Sequence, residues 1–461
     1  MKQITKTILL CLALLMMGIG ASAQGLKAFK LRNGLSVFIW EDESKPDVFG
    51  LVGVRAGSIN EPSDYTGLAH YLEHVMFKGT TLIGSLDWAQ EEPLYKEIIA
   101  KYDLLATETD PAKRQALSKE INELSVKAGE FGLPNEYSNL MESIGATGVN
   151  AGTSYDYTYY HSSFPPYQVN KWLEISSQRF LNPVFRSFQS ELENVYEEYN
   201  RSQDSESSKQ SEFMLKQVFA GHPYSRSIIG LPEHLKNPQL SKLMEFYETW
   251  YVPENMVLVL VGNIKAQQVV SRINASFGRL TAKPMPERIQ YPDLDIKGRK
   301  EYTLKHGSYP QLYLIYKGVP AGHPDEDALD IAMSLLNNGN QTGTIDKLVL
   351  DGEISDGGAG TITFREQGRL LVNCIPLYDE NQRRYASNKS TEKRTLEAIQ
   401  KIANGEFEEW KINAIKNEMC RRFDLMMEDN ESIGNLLMNA FYNEQDLEEV
   451  LNYKDKIMAI S

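Results

Sequence analysis

The chain holds 461 residues, with 48 Lys and Arg against 62 Asp and Glu, a formal net charge of −14 at pH 7. Nucleic-acid binding needs clustered cations and so does a polybasic membrane surface, so this balance argues against both partners. Three cysteines are too few for a disulfide scaffold, and the length predicts about two to three domains with cores of their own.

The N-terminus reads MKQITKTILLCLALLMMGIGASAQG. Lys2 and Lys6 precede an apolar run from Ile8 to Ile19 that is too short for a membrane span, and Ala21-Ser22-Ala23 fits the small-x-small cleavage rule. Residues 1–23 are therefore expected to be a secretory signal. Its removal takes Cys11 and leaves Cys374 and Cys420. With no later hydrophobic run, the protein is expected to be exported, periplasmic or extracellular, with no membrane span after signal removal.

Strands come next. Asn33-Gly34 marks a turn, and SVFIW and VFGLVGV are β-rich. Ser63-Asp64 offers a helix N-cap, after which Leu68, Leu72, Val75 and Met76 fall at helical spacing, and Gly79 ends the element. Residues about 85–135 read as a charged helical hairpin, an insertion on the surface. Leu94, Ile98, Tyr102 and Leu105 line one arm. Asp110 caps the other, with Pro111 at its first position, and Leu117, Ile121 and Leu124 repeat the pattern. GVNAGTSYDYTYY is strand-like, helices follow near 167–180 and 188–203, and MVLVLVGNI is a short apolar strand. The proline-bearing stretch 278–300 reads as a linker between a first domain, 26–277, and a second, 301–461. After the linker the order strand, loop, amphipathic helix, glycine restarts. Laying Gly339 on Gly79 puts Asp330, Met333 and Ser334 where the first copy has His70, Glu73 and His74.

The chemistry concentrates in HYLEH. The whole chain has 7 histidines, and two of them, His70 and His74, stand four apart with Glu73 between them. At about 100° per residue all three project from one helical face. Two imidazoles at i and i+4 can converge on one zinc ion, with the carboxylate beside them placed to take a proton from a water there. Such a site needs a third protein ligand. SELENVYEEYNRS offers Glu191, Glu193, Glu197 and Glu198. Seven residues apart, Glu191 and Glu198 share a face, while Glu193 and Glu197 lie on the opposite side. A ligand with a supporting carboxylate would use the Glu191/Glu198 pair. Against this stands the plain reading of a solvated acidic helix.

HYLEH followed by ELENVYEE resembles the inverted-zincin metallopeptidases, the group of pitrilysin, insulysin and the mitochondrial processing peptidase. The resemblance implies that His70, His74 and Glu198 bind one Zn2+ per chain. It makes Glu73 the general base and Glu191 the supporting catalytic-site carboxylate. NAGTSYDYTYY is similar to the family's strand beside the bound peptide, which puts Asn150 and Ala151 on the substrate side. GVRAGSINEP, HPYSRSIIGLPEHL and FYETWYVPENMVLVLVGNI extend the likeness over about 26–265, and it continues weakly over 300–461. His74 and Glu198 stand further apart than in the family, an excess the helical hairpin accounts for.

The expected fold is α+β: two related α/β-sandwich-like domains forming a clamshell half, with antiparallel-rich mixed sheets and helices on one face. The second domain is expected to be incomplete, because the chain stops at DKIMAIS within a helix-like stretch. The expected activity is that of an exported zinc metalloendopeptidase acting on peptides or unfolded segments in a closing chamber. The implied partners are peptide substrates and a second clamshell half, supplied as a missing C-terminal portion or a separate chain. The rival expectation is a non-catalytic or partner-dependent subunit of the same family.

Overall fold

A computed structural model describes residues 25–237 and 239–461. The signal segment 1–23 lies outside the described residues. In chain order the first elements are β1 (Leu26–Lys30), β2 (Ser36–Glu41), β3 (Val48–Val54), α1 (Leu68–Val75), α2 (Trp88–Thr107), α3 (Pro111–Gly129) and α4 (Glu136–Ser143). Then come β4 (Thr147–Thr153), β5 (Thr158–Phe164), α5 (Val169–Arg179), α6 (Phe188–Asp204), α7 (Glu206–Val218), α8 (Pro232–Leu235), α9 (Leu240–Trp250), β6 (Met256–Gly262) and α10 (Ala266–Ser276). The last part holds β7 (Leu312–Gly318), α11 (Glu326–Leu336), α12 (Thr344–Leu350), β8 (Ile354–Thr363), β9 (Gly368–Pro376), β10 (Tyr378–Asp379) and β11 (Arg384–Tyr385). Helices α13 (Asn388–Ala403), α14 (Glu409–Met426), α15 (Asn430–Tyr442), α16 (Leu447–Leu451) and α17 (Tyr453–Ala459) complete it.

These elements form an α+β fold in two units. The first comprises residues up to Tyr199, Ser227–Arg288 and Asp429–Phe441, and the second Asn200–Arg226, Ile289–Glu428 and Tyr442–Ser461. The chain thus passes between units at Arg288–Ile289, within the stretch read as a linker. Residues 200–226, grouped with the first domain on sequence, cluster with the second unit.

The first unit is built on a six-stranded mixed sheet in the order β1-β2-β6-β3-β5-β4. Strand β6 runs parallel to β2 and antiparallel to β3. The central strands β3 and β6 are buried at every position, and the unbroken apolar runs VFGLVGV and MVLVLVG supply that. Gly50 in β3 lets α5 approach, since a Cβ there would stand 2.4 Å from the Trp172 ring. Trp172 anchors the contact by donating from its indole N–H to the Ser162 hydroxyl at 2.8 Å. Strand β4 is an edge of this sheet, paired on one side to β5 with a register irregularity between Thr147 and Asn150.

Helices α2 and α3 form the hairpin read from the sequence. Asp110 caps α3 by accepting from the Ala112 and Lys113 amides. Ile98, Tyr102, Ile121 and Leu124 are its buried residues in the core of the unit, and the Ser241 hydroxyl ties α9 to Asp103 at 2.7 Å.

The second unit holds a three-stranded antiparallel sheet, β7-β9-β8. Met333 and Leu336 of α11 join Ile345, Ile354, Val372, Cys374 and Ala398 in one cluster. Ile331 and Leu335 of the same helix join Ile415, Met419 and Ile457 in another. Cys374 and Cys420 are both free thiols.

Candidate metal centre

Helix α1 carries the HYLEH motif. Leu68, Ala69, Tyr71, Leu72 and Val75 are buried, which turns His70, Glu73 and His74 to the opposite face. The helix starts at Leu68 rather than at a cap on Ser63-Asp64. Gly67 precedes it with φ of 90°, and no side chain of its own caps the helix. The cap comes from upstream, where buried Glu61 accepts from the Gly67 amide at 2.9 Å and the Ala69 amide at 2.8 Å. A carboxylate satisfies amides at a helix N-terminus and complements the helix dipole there. Local spacing could not reveal it, because Glu61 acts across a loop.

Helix α6 crosses nearby. The Tyr71 hydroxyl donates to the Phe188 carbonyl, and the two rings lie 4.9 Å apart, so α1 is tied to the first turn of α6. Along α6, Glu191 is buried, Glu198 is half-buried, and Glu193 and Glu197 are exposed. His70 Nε2 and His74 Nε2 stand 3.5 and 3.6 Å from Glu198 Oε2. One donor atom from each of His70, His74 and Glu198 lies within 4.8 Å of the other two, the one such group of three among the described residues.

That spacing suits a cation. Donors about 2.0–2.1 Å from a tetrahedral ion sit roughly 3.3 Å from one another. Two imidazole nitrogens and one carboxylate oxygen are the donor mix that suits zinc, and three ligands leave a position open. His74 is braced: its Nδ1 lies 3.5 Å from Glu191 Oε2, which orients the ring with Nε2 toward Glu198. His70 Nδ1 is buried with no hydrogen-bond partner.

Glu73 lies on the same face, where the Thr153 hydroxyl donates to its Oε2 at 2.6 Å. Thr153 ends β4, the strand that carries exposed Asn150 and half-buried Ala151, opposite His161 and Tyr160 of β5. Asn150 and Ala151 thus share the edge strand with the residue that orients Glu73.

The site's charges shift its groups in opposite directions. Burial, with the neighbouring His74, pushes the His70 pKa down to about 4, so its ring is neutral and has a lone pair to give at pH 7. Burial also pushes His74 down, but the Glu191 contact and the charges of Glu198 and Glu73 outweigh it and leave the net shift upward. Glu73 is raised by burial, against the Thr153 bond, His74 and Arg179. Glu191 is held down to about 2, because the bonds from His74 and Lys78 overcome its burial. Sequence reasoning missed Lys78, whose Nζ stands 2.6 Å from Glu191 Oε1. It also missed Arg179, a buried guanidinium caged by the rings of Phe77, Tyr137 and Tyr160 at 4.4, 4.1 and 4.7 Å. Thr153 had a signal in its Asn-Ala-x-Thr strand. Arg179 had none.

Residues 37–91 and 117–231 match the family model described as insulinase, peptidase family M16, and residues 239–419 match that of the peptidase M16 inactive domain. The chain belongs to peptidase family M16. The M16 match passes over residues 92–116, which make up most of α2, the hairpin turn and the start of α3. The chain is 22% identical over 436 residues to Zinc protease PqqE of Helicobacter pylori, covering 93% of this chain and 86% of that protein. It is 25% identical over 275 residues to Probable zinc protease PqqL of Escherichia coli, covering 57% of this chain but only 24% of the relative. Among solved structures, a protease from Helicobacter pylori matches with a TM-score of 0.73 at 21% identity, over 95% of this chain and 93% of that one. The first half of the periplasmic protease PqqL from Escherichia coli matches with a TM-score of 0.69 at 18% identity, over 96% and 88%. This M16 chain therefore has the α+β fold of a peptidase half. No helix among its described residues is long and apolar enough to cross a membrane.

Proposed function

We propose that this M16 chain is an exported zinc metalloendopeptidase that hydrolyses peptides or unfolded segments inside a chamber closed by a second half. The observation that carries the reading is the convergence of His70, His74 and Glu198 within 4.8 Å, with Glu73 on the same helical face. His70, His74 and Glu198 would hold the ion. When bound, zinc supplies a Lewis acid that polarises a carbonyl and acidifies water toward neutral pH. Glu73 takes a proton from the attacking water on its carboxylate and returns it to the leaving amine. Thr153 fixes Glu73 Oε2, so the carboxylate presents Oε1. The peptide is held as an added strand on the β4 edge, beside Asn150 and Ala151, through main-chain hydrogen bonds. Export is supported by the likeness to PqqL, which is called periplasmic, and the need for a second half by the 45% of the whole PqqL chain that this one covers.

A quenched fluorescent peptide library tests the reading. Wild-type protein together with its second half is expected to cleave it, to lose activity in 1,10-phenanthroline and to regain it with Zn2+. Glu73→Gln is expected to keep the metal and lose turnover by about 10²–10⁴-fold. Full activity in Glu73→Gln would remove Glu73 from its role.

A further inference from the structure

Glu191 is a buried carboxylate whose two oxygens are divided between different partners. Oε2 faces His74 Nδ1 at 3.5 Å. Oε1 takes the Lys78 ammonium at 2.6 Å and the Asn194 side-chain amide at 3.3 Å. Lys78 sits one helical turn beyond His74, where α1 has ended, and its main chain is held on both sides. Its amide donates to the Val75 carbonyl at 3.0 Å, and its carbonyl accepts from Arg186 Nη1 at 3.2 Å. The next residue, Gly79, has φ of 98° and would place a Cβ 2.2 Å from the Ile83 carbonyl oxygen, so the chain must turn there. The ammonium is therefore aimed across to α6 from a fixed backbone, and the side-chain exposures, 25% for Lys78 and 10% for Glu191, leave little water to replace it.

Two carboxylates besides Glu191 act here: Glu198 Oε2 lies 3.5 Å from His70 Nε2 and 3.6 Å from His74 Nε2, and the charge of Glu73 is felt by His74. A carboxylate free to rotate in that company could turn both oxygens toward a cation or swing away from His74. Either movement would release the His74 ring. We infer that Lys78 is a positioning residue: it pins Glu191 Oε1 so that Oε2 receives the His74 Nδ1 proton, and His74 then offers the lone pair of Nε2 to the metal. This inference rests on the zinc reading of the site. Groups that orient a metal-bound histidine typically govern affinity by about 10–100-fold.

The test is zinc affinity, measured on stripped protein by competition with a chromophoric chelator, together with the visible spectrum of the Co2+-substituted form. Lys78→Met is expected to weaken Zn2+ binding about tenfold or more and to change the Co2+ spectrum, and Lys78→Arg to restore most of both. Glu191→Gln is expected to weaken binding too, with no further loss in the Lys78→Met/Glu191→Gln double variant, because Lys78 acts through Glu191. Far-UV circular dichroism of the stripped proteins verifies folding, and Lys78→Gln takes the place of Lys78→Met if the latter does not fold. Wild-type affinity and spectrum in the folded Lys78 variant overturn this inference alone. Wild-type protein that binds no zinc overturns the metal reading and this inference with it.

Discussion

Glu61 and Glu191 show how much one carboxylate decides here. Both are buried, and each finds partners outside its own element, Glu61 in the first amides of α1 and Glu191 in Lys78 and His74, to which Asn194 of the same helix adds a bond. Glu191 carries a pH signature. Its folded pKa of about 2 lies below the ordinary value of 4.5, so its contribution to stability is complete above 4.5 and is lost as pH falls through about 2. In metal-free protein, the melting temperatures of wild type and Glu191→Gln are expected to differ near neutral pH and to converge between 4.5 and 2. A gap that stays constant across that window would show that Glu191 is not held down by its partners.

Among the elements, the α2–α3 hairpin packs Tyr102 on Phe188 at the start of α6, rings 4.8 Å apart, and the edge strand β4 brings the Thr153 hydroxyl to Glu73. The hairpin is anchored at its foot by Arg186, which reaches Glu91 at 2.5 and 3.0 Å and the carbonyls of Lys78, Thr80 and Ile83 at 2.9–3.2 Å. The same side chain thus holds the insertion and the loop that leaves α1. Glu91→Ala would leave a nearly buried guanidinium without its carboxylate, and breaking such a pair costs about 3–5 kcal/mol. Urea unfolding is expected to show that loss, and a change under 1 kcal/mol, the scale of about one exposed pair, would mean the anchor is not the Arg186 pair. The second unit has a strand-to-helix bond of the same kind, at the position laid on His70 rather than on Glu73. In the first, a strand threonine, Thr153 of β4, donates to a helix carboxylate, and in the second Thr361 of β8 donates to Asp330 of α11 at 2.8 Å. Met333 is packed in a core cluster, and no group of metal-ligating residues like that of His70, His74 and Glu198 occurs elsewhere among the described residues.

At the scale of the whole molecule the two units interleave along the chain, and residues Asp429–Phe441 return to the first. There Phe441 lies under the Arg55 guanidinium at 4.3 Å and edge-on to Phe38 at 6.4 Å, Asn430 donates to Asp47 at 3.0 Å, and Gly434 packs against the Phe49 ring. Four of the five tryptophans, Trp40, Trp88, Trp172 and Trp250, belong to the first unit, so tryptophan fluorescence reports its unfolding. Phe441→Ala removes a mostly buried ring and is expected to cost about 3–5 kcal/mol, read as a lower denaturant midpoint of that fluorescence transition. An unchanged midpoint would mean that the returning segment does not support the first unit.

The sequence by itself determined what depends on local periodicity. The spacing of Leu68, Leu72 and Val75 put His70, Glu73 and His74 on one helical face, and seven-residue spacing set Glu191 and Glu198 apart from Glu193 and Glu197, which are exposed. The hairpin, with its Asp110 cap, and the apolar central strands were legible for the same reason. Only the tertiary structure brought the two glutamates to the two histidines, across more than a hundred residues of chain that include the hairpin. It alone supplied Glu61 as the cap of α1, Lys78 as the partner of Glu191 and the aromatic cage of Arg179. Each of those is a contact between segments distant in sequence or beyond the end of a helix, where periodicity carries no information and only packing decides which side chains meet.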